Sequence, residues 1–180
     1  MSHLQIFDEN GPEAALLDTQ DAGVIAAQLA TIGVKFERWH TRPVASADDV
    51  LAVYAPEIAT LTAQGGYQSI DVMGVTQDHP DRATIRTKFL SEHTHAEDEI
   101  RFFVEGEGLF TLHEQGRVFN MLCTQGDLIS VPAGMRHWFD MGEKPHFTVI
   151  RLFVNPDGWI AQFTGDDIAA RFPRLEPAHA

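Results

Sequence analysis

Residues 92–106 read EHTHAEDEIRFFVEG and place His93, His95 and Glu99 at H-x-H-x3-E spacing, with Gly106 closing the run. A second stretch, GDLISVPAGMRH at residues 126–137, adds His137 just after a Pro-Ala-Gly turn. Three imidazoles and a carboxylate are a donor set suited to iron, nickel, manganese, cobalt or zinc. Alternate side chains of a strand share a face, so His93 and His95 point one way, and Glu99 and Arg101 have the same parity. The bend at Ala96-Glu97-Asp98 can break that register, so parity is support for a common cavity and no more. His137 comes from a separate strand. Strands converging inside a barrel can set such donors around one metal and leave open positions for substrate. A lone histidine in a strand is usually nothing more than that, and H-x-H alone is weak. The joint spacing of both blocks makes a metal site the better account.

Outward from these blocks the chain changes character at Tyr67. SIDVMGVT, ATIRTKFL, EIRFFVEGEGLFTLHE, RVFNMLCT, DLISVPAG, RHWFDM and FTVIRLFV follow one another with turn signals between them. That succession of short strands predicts a β-sandwich or barrel with little helix inside it. Before Tyr67, LQIF reads as a first strand closed by the DENGP turn. Val24, Ile25, Leu29 and Ile32 have helical spacing, and Gly33 is a stop. VKFERW then alternates as a strand. A second helical region begins with a cap at Ser46, is interrupted before Pro56 and ends at Gly65-Gly66. These helices are expected to cover one end or flank of the barrel. The organisation expected is one domain: residues 1–66 packing on a barrel core of 67–156, then a mixed tail of 157–180 with a loosely ordered end.

Composition narrows the function. With 180 residues and a formal charge of -13, nucleic acid and anionic membrane surfaces are disfavoured as partners. An anionic substrate would have to be held by a local charge or the metal, against the global field. Twelve Phe and three Trp suffice to fill a barrel interior. Cys123 is the only cysteine, which excludes a disulfide framework and reads as a small buried hydrophobe. No leader pattern and no apolar run of about eighteen residues is present, so the expectation is a cytoplasmic protein.

At the two histidine blocks the chain resembles the cupin superfamily. H-x-H-x3-E-x6-G is its first motif, and G-x5-P-x-G-x2-H, here Gly126 to His137, is most of its second. Thr87 and Met141 depart from it, standing where a glycine and an asparagine are usual. EHTHAEDEIRFFVEGEG, PAGMRHWFDMG, GVKFERW and IRLFVNPDGW are similar more specifically to the acireductone dioxygenase family, over about Phe36 to Trp159. The resemblance implies a mainly β fold, a cupin-type jelly-roll barrel with short flanking helices on its N-terminal side. It implies His93, His95, Glu99 and His137 as ligands of one Fe(II) or Ni(II) per chain, in a monomer. The implied substrates are an acireductone and O2. Iron would give formate and the keto-acid precursor of methionine; nickel would give methylthiopropionate, formate and carbon monoxide.

Three further residues are singled out as catalytic candidates. Arg101, costly to bury without an anionic partner, would stabilise the substrate dianion; pairing with Glu99 is the plain structural alternative. Glu92 and Asp98 match family positions linked to metal incorporation and to relaying local changes, and a hydrogen bond accepted by each from a ligating imidazole is the mechanism expected. A solvated loop carboxylate is an equally good account of either. Phe89, Phe103, Phe139 and Trp159 are candidates to line a pocket for an apolar tail, although core packing explains any one of them. His113, beside the Glu114-Gln115-Gly116 turn, and His146 are expected at the surface. Two rival functions are a metal-dependent sugar-phosphate isomerase, which should bring more Lys and Arg than Arg101 to the pocket, and a non-catalytic metal- or small-molecule-binding cupin.

Overall fold

The computed structural model describes residues 1–44, 49–155, 157–158 and 160–175. The expected cap at Ser46 and the pocket candidate Trp159 lie outside the described residues. The fold is built on β6 (Glu99–Glu114), a strand long enough to belong to two sheets. Its first half pairs with β8 (Asp127–Val131) and β10 (His146–Phe153). Its second half pairs with β7 (Arg117–Thr124) and β9 (Arg136–Asp140). The corner is Gly106. Its φ is +73°, and a Cβ there would lie 1.8 Å from the His146 carbonyl oxygen, so only glycine fits.

The remaining strands extend each sheet. β4 (Ser69–Thr76) pairs with β10, and β3 (Lys35–Arg38) with β8. On the other sheet β1 (His3–Asp8) adds to β7 and carries β2 (Leu17–Thr19) outside it. At the far edge β9 pairs with the short β5 (His93–Thr94), which in turn pairs with β11 (Gln162–Phe163). Every pairing among the described residues is antiparallel. This is the cupin-type β architecture the two motifs imply.

Alternation along β6 and β10 sorts the core. Phe103, Val149 and Phe147 point into the barrel with Phe110, Phe119 and Phe139. Ile100, Phe102, Ile150 and Leu152 point outward and are covered by α2 (Val50–Val53) and α3 (Ala55–Gly65) through Val50, Tyr54 and Leu61. The expected break before Pro56 is there: Tyr54 separates the two helices and Pro56 sits at the start of α3. α1 (Ala22–Ala30) is capped by Asp21, whose carboxylate accepts from the Val24 N–H, and buries Ile25 and Leu29. The flanking helices thus cover the barrel as their spacing suggests.

Where ATIRTKFL reads as a strand, the chain instead forms a helix, α4 (Arg82–Phe89). Only Ile85 and Phe89, four residues apart, pack on the barrel core. The tail is also more engaged than its composition suggests. Ile168, Ala169 and Phe172 are buried against Phe7, Val118 and Trp138. Among the described residues, no helix is long and apolar enough to cross a membrane.

Candidate metal centre

The sheet register brings the histidines together. His93 of β5 and His137 of β9 are direct cross-strand partners, and their ring centroids lie 4.4 Å apart. His95 follows β5, its ring 5.2 Å from His93 and 5.1 Å from His137. One ring nitrogen of each of the three lies within 4.8 Å of the others. Glu99, at the start of β6, points its Oε2 at the same place, 3.4 Å from His95 Nε2 and 3.7 Å from His137 Nε2. The same-side parity of these residues therefore survives the intervening bend.

The orientation of each ring is fixed from behind. His93 Nδ1–H donates to the Ser91 carbonyl, His137 Nδ1–H to Met135 and His95 Nδ1–H to Ile160. A carbonyl can only accept, so each ring carries its proton on Nδ1 and turns the Nε2 lone pair inward. His137 Nε2 and Glu99 Oε2 are buried and find no hydrogen-bond partner. Two orphaned acceptors facing each other cost energy in a bare cavity and are satisfied by a cation. Burial pushes the His137 imidazole down to about 3, despite the upward pull of Glu99, and lowers His93 as well. Burial pushes Glu99 upward, yet the guanidinium of Arg101 and the neighbouring imidazoles outweigh it and hold the carboxylate at about 2. Neutral imidazoles and an ionised carboxylate are the forms that bind metal.

Arg101 adopts the structural pairing: its Nε–H donates to Glu99 Oε1 over 2.5 Å. The guanidinium also lies between the Phe110 and Phe139 rings, 5.0 Å from each centroid. It still borders the cavity. That cavity, of about 50 Å³, has His93 and His95 on its wall with Lys88, Phe89, Arg151 and Phe153. A larger hollow of about 670 Å³, bordered by Arg38, Gly106 and Lys144, shares no residue with the histidine cluster.

The two acidic candidates form no hydrogen bond with the three clustered imidazoles of His93, His95 and His137. Glu92 is buried and accepts from His113 Nδ1–H at 2.7 Å and from the Thr164 hydroxyl at 2.8 Å. Asp98 is exposed and accepts from the Ala133 N–H, holding the Pro132-Ala133-Gly134 turn that leads to His137. The Gly134 N–H donates to the His95 carbonyl, a second tie between the two motifs. Of the aromatic candidates Phe89 borders the cavity, while Phe103 and Phe139 belong to the core. Phe153 and Arg151 border it too and were not singled out by sequence; their signal is the inward parity they share with Val149 on β10. His146 is exposed as expected, beside Glu105, but His113 is buried.

The sequence pattern of the ARD/ARD' family matches residues 3–161. The chain belongs to that family. An acireductone dioxygenase of Pseudomonas aeruginosa is 56% identical over 98% of this chain and 99% of its own length. One of Stenotrophomonas maltophilia is 54% identical over the whole of both chains. The solved acireductone dioxygenase of Bacillus anthracis, which has a cadmium ion in its active centre, superposes with a TM-score of 0.80 at 29% identity. That match covers 91% of this chain and 98% of the other. Membership places the chain among oxidoreductases of the dioxygenase type.

Proposed function

We propose that this chain oxidatively cleaves an acireductone with O2, using one Fe(II) or Ni(II) held by His93, His95, His137 and Glu99. The observation that carries this reading is the convergence of three inward-turned Nε2 atoms and one carboxylate oxygen on a single buried point in a member of the ARD/ARD' family. A divalent metal held there would supply Lewis-acid charge to the substrate's adjacent oxygens.

The protein's own residues do the rest. Arg101, wedged between two aromatic rings and fixed on Glu99, keeps a positive charge beside the place where the enediol dianion lies. Phe89 and Phe153 give the cavity an apolar border that suits the methylthio tail and excludes water from the reacting end. Glu92 and Asp98 act at one remove: Glu92 anchors the segment before His93, and Asp98 holds the turn before His137.

The sugar-phosphate isomerase reading calls for added cations at the pocket, and Lys88 and Arg151 do border it. Arg151, however, is already engaged in a two-point pair with Asp71. Family membership favours the dioxygenase. The test is anaerobic loading of the metal-free protein with Fe(II) or Ni(II), then oxygen uptake and product analysis on a synthetic acireductone. Formate plus keto acid from iron, and carbon monoxide from nickel, are expected. Metal binding without oxygen uptake in either form overturns the proposal.

A further inference from the structure

Beyond its candidate donors, the cavity stands out by its charge. The chain has 13 Lys and Arg against 26 Asp and Glu. Lys88, Arg101 and Arg151 nonetheless border one small cavity, and among the described residues no carboxylate shares that border. Arg101 and Arg151 are direct cross-strand partners on β6 and β10. Like charges facing across a ladder destabilise a sheet, so both are answered: Arg101 by Glu99, Arg151 by Asp71. Lys88 is different. It stands on the last turn of α4, is exposed, and forms no ion pair among the described residues.

We propose that Lys88 is the recruiting cation of this site: it draws the anionic enediol to the cavity mouth and helps set its affinity, while Arg101 holds it at the reacting end. This rests on the acireductone reading above. An anion approaching a molecule of formal charge -13 is repelled at long range, and the exposed ammonium at this cationic border offsets that locally. The three cations grade from the exposed Lys88 through Arg151, 18% exposed in its side chain, to Arg101 at 6%. An anion moving inward thus passes from a free charge to two that are already paired. The competing account is structural, because a cation in the last turn of a helix also favours the helix dipole. That role moves melting temperature and leaves substrate affinity alone.

Metal-loaded Lys88→Gln, Lys88→Glu and Lys88→Arg variants separate the two. At low ionic strength Lys88→Gln should lower kcat/KM about fivefold, carried by KM, with Lys88→Glu lower still and Lys88→Arg close to the parent. At about 1 M salt, where the screening length is about 3 Å, the differences should collapse. Equal kcat/KM across the series at low salt, or a fall confined to kcat, overturns the proposal. Should the parent turn over no acireductone, the substrate reading fails, and a second arm still tests Lys88. Oxalate, a dianion, and imidazole, a neutral ligand, are titrated into the Co(II)-loaded proteins and followed by the visible spectrum. Oxalate weakened severalfold by Lys88→Gln with imidazole unchanged supports the recruiting role; equal oxalate affinities sink it.

Discussion

His113, one residue before the end of β6, has a carboxylate on each ring nitrogen, Glu92 at 2.7 Å on Nδ1 and Glu9 at 2.9 Å on Nε2. Both contacts need an N–H, so the imidazolium is favoured, and Glu92 raises the ring above its ordinary 6.5 in spite of burial. A group whose folded pKa is raised contributes its stability fully below the unfolded value and loses it as pH climbs through the folded one. Denaturant melts from about pH 6 to about pH 9 should therefore show a decline that His113→Gln removes, at a cost of about 1–3 kcal/mol near pH 6. Parallel profiles for the two proteins would mean that the ring carries no charge. Arg101 supports a different experiment. Its partner Glu99 is only 1% exposed, and removing one half of a buried pair costs about 3–5 kcal/mol because the other charge stays behind. A divalent cation at the proposed centre can answer that same carboxylate. Metal-free Arg101→Ala should melt well below the parent, and added Ni(II) should raise its Tm by far more than it raises the parent's. An equal shift in both would show that guanidinium and metal do not share Glu99's charge.

At the scale of elements, β6 explains how the donors of the proposed centre come together. One strand carries Glu99 and Arg101 at its start, turns at Gly106, and places Leu112 opposite His137 near its end. A methyl at Gly106 meets backbone on the neighbouring strand, which cannot step aside. Gly106→Ala should cost about 3 kcal/mol or more, read as a lower urea midpoint or loss of soluble protein. Stability near the parent's would mean that the corner can relax. The clustering of the proposed donors, this glycine and most strands around them were legible because they are local: H-x-H-x3-E and the Pro-Ala-Gly turn are spacings along the chain. α4 was not. Thr84, Ile85 and Thr87 mimic strand composition, and a stripe of only Ile85 and Phe89 is too narrow to announce a helix. The burial of His113 was hidden for another reason. Its neighbours in sequence form a turn, whereas Glu9 and Glu92, the carboxylates flanking its ring, come from distant parts of the chain. Contacts that skip tens of residues leave no periodicity to read.

Across the whole molecule, such distant contacts tie the cavity wall to the barrel. Asp140, at the end of the strand that bears His137, is 1% exposed and accepts four hydrogen bonds. Two come from Arg86 on α4, one from the Gly142 N–H, and one from the Leu175 N–H in the C-terminal segment. One carboxylate thereby joins the helix that presents Lys88 and Phe89 to the cavity, the strand behind the proposed metal, and the tail that packs on Phe7, Val118 and Trp138 of β1, β7 and β9. Replacing it with asparagine keeps the shape and removes the charge. A neutral amide can accept through one oxygen only, so Arg86 loses half of its two-point partner and Leu175 or Gly142 competes for what remains. Arg86 retains some access to water, which puts the expected loss below the full cost of a buried pair, at about 2–3 kcal/mol. The more telling expectation concerns where the loss falls. Amide exchange in Asp140→Asn should accelerate in α4 and around Leu175 well before it does in β6, because those segments depend on this clasp and β6 has paired neighbours on both sides. Uniform acceleration throughout the barrel would instead make Asp140 an ordinary contributor to global stability, with α4 held by other contacts such as Ile85 and Phe89.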